Sequence, residues 1–103
     1  MYLGIDLGTS SVKAVVTDGA AVVAEASEPL SVSRPGPRMS EQAPDDWWRV
    51  VEVVMAKLRG HGPSVDAIGL SGQMHGAVLL DARGQVLRDA ILWNDGRSDA
   101  ECV

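Results

Sequence analysis

The stretch GIDLGTSSVK, residues 4 to 13, sets one carboxylate, Asp6, at the end of an apolar run and follows it with Gly8, Thr9, Ser10, Ser11 and Lys13. A tight turn of that composition gathers backbone N–H groups and hydroxyls into one small volume. There they can cradle phosphate oxygens while the neighbouring carboxylate holds a hydrated Mg²⁺. Lys13 adds a positive charge on the same side. The pattern is neither a Walker A loop nor a dinucleotide fingerprint, because both need further glycines and a helix directly after the turn, and here a strand pattern follows. The plainer alternative is a hairpin in which Gly8 permits the turn, Thr9 and Ser10 satisfy its backbone, and Asp6 is an ordinary polar residue at a strand end. Asp6 favours the phosphate site. On the face opposite Leu3, Ile5 and Leu7, in a strand expected to be central, its carboxylate is costly to bury without a compensating cation.

The elements that must position this stretch follow from periodicity. YLGIDL (2–7) alternates as a strand, VKAVVTD (12–18) supplies its partner, and GTSS between them makes the pair a hairpin. Asp18-Gly19 is a second turn signal, after which AVVAEASEPLSVS (21–33) reads as a long third strand, placed at an edge by Pro29. SRPGPRMSEQAP reads as an irregular loop with no helix or strand of its own. Pro44 suits a first helical position, Asp45 and Asp46 complement the helix dipole, and Ala43 is a poor N-cap. Trp47, Val50, Val51, Val54, Met55 and Leu58 then recur at helical spacing until Gly60 and Gly62-Pro63. Trp47 falls on the apolar face; Trp48 falls off it and is expected under the preceding loop. DAIGLS (66–71) is a short strand running into a glycine-rich bend, SGQMHG, where crossover architectures place ligand loops. GAVLLD and QVLRDAILW flank the turn sequence DARG as a hairpin, the polar loop NDGRSD follows, and a helix start is expected from Ser98.

Composition narrows the class of partner. The 103 residues carry 9 Lys and Arg against 14 Asp and Glu, a net charge of −5, and the basic residues form no run, so a nucleic-acid or anionic-membrane footprint is absent. A small molecule is the expected partner. Cys102 is the sole cysteine, which excludes an internal disulfide and a thiolate zinc site and fits a reducing compartment. The N-terminal run lacks a basic region and is broken by Asp6, and no segment approaches roughly 18 apolar residues, so the reading is cytoplasmic.

Taken in order, YLGIDLGTSSVKAVV, SVSRPGPRMSEQAPDDWW, IGLSGQMHGAVLLD and AILWNDGRSDAEC resemble the N-terminal part of the FGGY carbohydrate kinases, most closely their xylulokinase group. The match covers nearly the whole chain. DLGTS alone is shared across actin-like ATPases; SEQ with WW, SGQMHG and ILWND with Arg97 are more specific. The resemblance implies an α/β, ribonuclease H-like (actin-like ATPase) domain, its mixed sheet opening with an antiparallel three-stranded meander plus an amphipathic helix. It implies that residues 1–103 are the N-terminal part of the first kinase domain, incomplete, with the second domain absent. It also implies ATP and Mg²⁺ as cofactors and D-xylulose, converted to D-xylulose 5-phosphate, as substrate. Asp6 then matches a Mg²⁺-associated catalytic aspartate, with Gly8, Thr9, Ser10 and Lys13 in the phosphate-facing hairpin. Gln73, Met74 and His75 match the substrate-contacting bend, and Trp93, Asn94, Asp95 and Arg97 a loop lining the sugar pocket.

Those residue types suit a ketopentose, whose hydroxyls call for a two-way donor and acceptor such as His75 or Asn94, a charged clamp such as Arg97 or Asp95, and an apolar wall of Met74 and Trp93. The plainer readings are core filling for Met74, burial for Trp93, solvation for Lys13 and Arg97, and simple exposure for His61. In the family the general base lies beyond Val103, so the segment alone is expected to be inactive. A noncatalytic sugar-binding or regulatory homologue, a kinase for another ketose or polyol such as ribulose or glycerol, and a homodimer of the full-length protein stay open. Sugar-responsive repressors of the superfamily carry a basic helix-turn-helix that this sequence lacks. A sheet ending at Val103 is expected to leave an open edge and an uncovered apolar face.

Overall fold

The computed structural model describes residues 1–102 and, of Pro63, the backbone alone. Its main sheet has four strands, β1 (Tyr2–Leu7), β2 (Ser11–Thr17), β3 (Val22–Pro29) and a later strand, Ala67–Gly72, in the order β3, β2, β1, Ala67–Gly72. β1 pairs antiparallel with β2, Asp6 opposite Lys13 and Leu7 opposite Val12, and β2 pairs antiparallel with β3. The meander and the edge position expected of Pro29 are therefore both present. At the β2–β3 turn the Asp18 carboxylate accepts from the N–H groups of Ala20 and Ala21, both at 2.9 Å, and Gly19 takes a φ of 97°, a left-handed geometry that favours glycine.

The pleat decides which face is covered. Leu3, Val12, Ala14 and Val16 point to one side and are buried, while Asp6 and Lys13 point to the other and are exposed. The covering layer is helix α1 (Pro44–Lys57), whose Val50 and Val54 join those residues, Leu30 and Leu58 in one core. Pro44 opens the helix, Asp45 and Asp46 lie in its first turn, and no side chain caps it at Ala43. The winding does not stop at the glycines, because Arg59–Ser64 continues as a 3-10 turn before the chain extends again. Trp47 packs on the core as expected, whereas Trp48 is 67% exposed and lies under no loop. His61 is half-buried.

Three expectations change between residues 31 and 102. The proline-rich loop contains a short strand, β4 (Glu41–Gln42); the sheet strand Ala67–Gly72 is β5; and β4 pairs antiparallel with β6 (Ala90–Ile91). A pairing 48 residues apart has no local signature. The hairpin around DARG forms as a turn, with the Asp81 carboxylate accepting from the N–H groups of Arg83 and Gln85 and a single bridge between Leu80 and Val86, so the long strand QVLRDAILW reduces to Ala90–Ile91. From Ser98 the chain makes a turn, Glu101 and Cys102 donating to the Ser98 carbonyl, and no helix is established among the described residues.

β5 runs parallel to β1, Leu3 opposite Ile68 and Ile5 opposite Leu70. α1 packs on β2 and β3, which leaves Ile68 and Leu70 exposed beside β1. Parallel pairing also places the ends of β1 and β5 side by side, so the turn after Asp6 and the bend after Ser71 emerge together.

Candidate functional site

The β1–β2 turn is built tightly. The N–H of Gly8 donates to the Ser11 carbonyl at 3.0 Å, and a Cβ at Gly8 would meet that oxygen at 3.1 Å, so a side chain there crowds the backbone. The Ser10 carbonyl accepts from the Leu30 N–H at 2.8 Å, tying the turn to the core. Below it, on the open face, a shallow cleft of about 340 Å³ is lined by Gly4, Asp6, Lys13, Val15, Gly69 and Ser71. Asp6 is solvent-exposed there, so the expectation that a cation must offset its burial is corrected: nothing covers that face among the described residues, and water solvates the carboxylate. It is the one carboxylate lining the cleft. The described residues hold no group of three or more His, Cys, Asp or Glu able to cage a metal. A lone exposed carboxylate beside a phosphate-sized turn fits a Mg²⁺ that arrives on phosphate oxygens and keeps most of its waters.

A second cleft, of about 280 Å³, is lined by Gly72, Gln73, Met74, His75 and Trp93. The Gln73 N–H donates to the Leu7 carbonyl at 2.9 Å, and the exchange of Ala77 and Ile91 N–H groups and carbonyls, at 2.8 and 3.3 Å, holds the far side of the bend. His75 sits at φ 62°, in the left-handed region that non-glycine residues enter at a cost and that is concentrated at functional sites. Met74 is 70% exposed and Trp93 58% exposed, which removes the core-filling reading of the first and the buried reading of the second.

Thr9 ties the β1–β2 turn to the second cleft. Its hydroxyl donates to Gln73 Oε1 at 3.0 Å and accepts from Trp93 Nε1 at 3.0 Å. The sequence placed Thr9 with the phosphate group and Gln73 and Trp93 with the sugar group; in the fold they touch.

The remaining loop residues separate. Asn94 is exposed, while Asp95 and Arg97 line neither cleft. Arg97 donates through Nε and Nη2 to the two oxygens of Asp95, at 2.8 and 2.7 Å, and through Nη2 to Glu41 at 2.7 Å. Arg88 reaches the same Glu41 oxygen at 2.6 Å. The Asp95 side chain is 2% exposed and also accepts from the Ser40 N–H at 2.6 Å. The Arg97 fork holds the Asp95 carboxyl well below the usual carboxylate range, with the Ser40 N–H assisting, and Arg97 is raised in turn by Asp95 and then Glu41. The pair braces the loop behind Trp93, and Arg97 is not the solvated side chain of the plainer reading.

Sequence reasoning missed Glu41 and Gln42. Gln42 is 2% exposed and all but fully engaged: Nε2 donates to the Thr9 carbonyl at 2.6 Å, and Oε1 accepts from Trp47 Nε1 and Gln73 Nε2, each at 3.0 Å. The available signal was Gln-Ala-Pro-Asp-Asp-Trp, a polar residue directly before a helix start with an indole five positions on.

With this geometry in view, the known proteins it matches are informative. The model of the N-terminal domain of the FGGY family of carbohydrate kinases matches residues 1–103. The xylulose kinase of Klebsiella pneumoniae is 53% identical over 105 residues, covering 99% of this chain and 22% of that protein. Among solved structures, a xyloylose kinase from Brucella ovis superposes with a TM-score of 0.89 at 50% identity, over 97% of this chain and 22% of that one. The xylulose kinase from Rhodospirillum rubrum does so with a TM-score of 0.90 at 39% identity, over the same shares. The chain thus spans 22% of the length of these relatives. Sharing their sequence and their backbone throughout, this chain belongs to the FGGY family of carbohydrate kinases.

Proposed function

We propose that residues 1–103 are the N-terminal part of the first, ribonuclease H-like (actin-like) domain of an ATP-dependent sugar kinase, acting in the full-length protein on D-xylulose to give D-xylulose 5-phosphate and ADP. The observation that carries this reading is the Thr9 hydroxyl bonded at once to Gln73 and Trp93, which sets the glycine- and hydroxyl-rich turn against the cleft lined by Met74, His75 and Trp93. Phosphoryl transfer needs little more of a protein than donor and acceptor held in line and charge stabilised between them.

Each residue has a role in that scheme. The β1–β2 turn and Lys13 face the ATP phosphates. Asp6 would hold a hydrated Mg²⁺ through its waters, and the ion would supply charge neutralisation for the transferred group. His75 donates to or accepts from sugar hydroxyls, Met74 and Trp93 wall the chain of the sugar, and Gln73 and Asn94 complete the polar set. Asp95 and Arg97 hold the loop that carries Trp93. The general base is assigned to the polypeptide beyond residue 103, so the segment alone transfers no phosphate. The relatives named as xylulose kinases support D-xylulose over ribulose or glycerol.

The test is sugar-dependent ADP release by the purified full-length protein with MgATP, comparing D-xylulose, D-ribulose and glycerol. D-xylulose is expected to give the highest kcat/KM, and His75→Ala to lower it by about 10- to 100-fold, the size of a lost hydrogen bond to a polar substrate. No xylulose-dependent ADP release, or an indifferent His75→Ala, overturns the reading.

A further inference from the structure

Gln42 lies outside both clefts, yet its amide ties the β1–β2 turn and the rim of the second cleft to the core. Through Nε2 it holds the Thr9 carbonyl in the turn; through Oε1 it holds Gln73 in the bend and Trp47 on α1. Gln73 returns the connection by accepting from the Thr9 hydroxyl, which closes a ring of Thr9, Gln42 and Gln73. The polarity of the ring is forced at both ends. An indole N–H only donates, so Trp47 requires an acceptor at Gln42 and fixes that amide's orientation. Gln73 must then present its NH₂ to Gln42 and its oxygen to Thr9, and Trp93, also a donor only, takes one of the two lone pairs of the Thr9 hydroxyl. The Thr9 proton consequently points at the bend that carries Gln73.

We infer that Gln42 is a positioning residue that locks the phosphate-facing turn and the sugar-facing bend at one separation, acting through Thr9 and Gln73. The inference rests on the sugar-kinase reading above. Gln42 touches neither cleft, so removing its bonds leaves each ligand its own contacts. What changes is the distance between the two reacting groups, and a misplacement of about 1 Å there costs about 100-fold in rate.

The experiment is steady-state kinetics of the full-length protein with D-xylulose and MgATP, for wild type, Gln42→Met, Gln73→Met and the double variant. Methionine preserves side-chain volume and removes every hydrogen bond of the amide. The expected result is a kcat about 10- to 100-fold lower for Gln42→Met with both KM values within about threefold of wild type, and a double variant no slower than the worse single one, as for residues acting in one chain. Gln73→Met breaks the same ring at a residue that also lines the second cleft, so its KM for D-xylulose is expected to rise as well, and its fall in kcat carries the test should Gln42→Met fail to fold. A wild-type kcat in both single variants, a loss confined to KM, or additive losses in the double variant overturns the inference alone. A wild-type protein that phosphorylates no sugar overturns the kinase reading and this inference with it.

Discussion

Asp95 and Arg97 illustrate how a residue's role depends on what its charge meets. Both read as candidates for a sugar clamp, and the fold pairs them with each other, with Glu41 and with the Ser40 N–H. A carboxylate held low by its partner contributes stability that is present above its unfolded value, near pH 4, and is lost as the pH falls through the lower folded value. Asp95→Asn is therefore expected to lower the urea midpoint at pH 7 and to flatten the loss of stability below about pH 4. Equal midpoints for variant and wild type at pH 7, or parallel acid limbs, contradict this account. His75 shows the complementary case: its type and its glycine neighbours were visible in SGQMHG, but the left-handed backbone that presents it was not.

At the scale of elements, β1, β2, β3, α1 and β5 were legible because each carries its own pattern. Alternation buries Val12, Ala14 and Val16, and a helical stripe buries Val50 and Val54. β4 and β6 were not, since two residues carry no periodicity and their pairing is a property of chain segments that meet only after folding. The helix start offers a direct check. Ala43 already has the extended backbone of an N-cap, φ −74° and ψ 118°, and lacks only an oxygen for the first-turn N–H groups. Ala43→Ser is expected to stabilise the protein by about 1 kcal/mol, measured by denaturant unfolding. A neutral or destabilising result would show that the cap N–H groups are already satisfied by water.

At the scale of all the described residues, α1 covers one face of the sheet over β2 and β3 and leaves the β5 end of that face, and the opposite face, open. β5 has a free outer edge, and a groove of about 560 Å³ between it and α1 is lined by Ile5, Leu7, Trp48, Val51, Met55, Ile68 and Leu70. Ile68 is 60% exposed and Leu70 80%. An unpaired strand edge beside contiguous apolar surface favours association. Residues 1–103 produced alone are accordingly expected to self-associate with rising concentration in sedimentation, and Leu70→Lys to reduce the association. A monomer at every concentration would mean that the edge is protected by its own twist and side chains.

By itself the sequence determined the strands of the meander, the amphipathic helix, the turn after Asp6 and the residue types proposed to meet phosphate and sugar. All of these depend on near neighbours, through pleat, helical repeat and turn chemistry, and their motifs sufficed to place the chain among FGGY kinases. Only the tertiary structure decided which of those residues face a cleft. Asp6 is exposed because α1 packs on the opposite face of the sheet, and Arg97 is taken up by Asp95 and Glu41 where β4 meets β6. Gln42 joins turn, bend and helix because three segments separated by up to 64 residues converge on one buried amide. A buried hydrogen bond is decided by what else is near when water leaves, and that neighbourhood exists only in the folded chain.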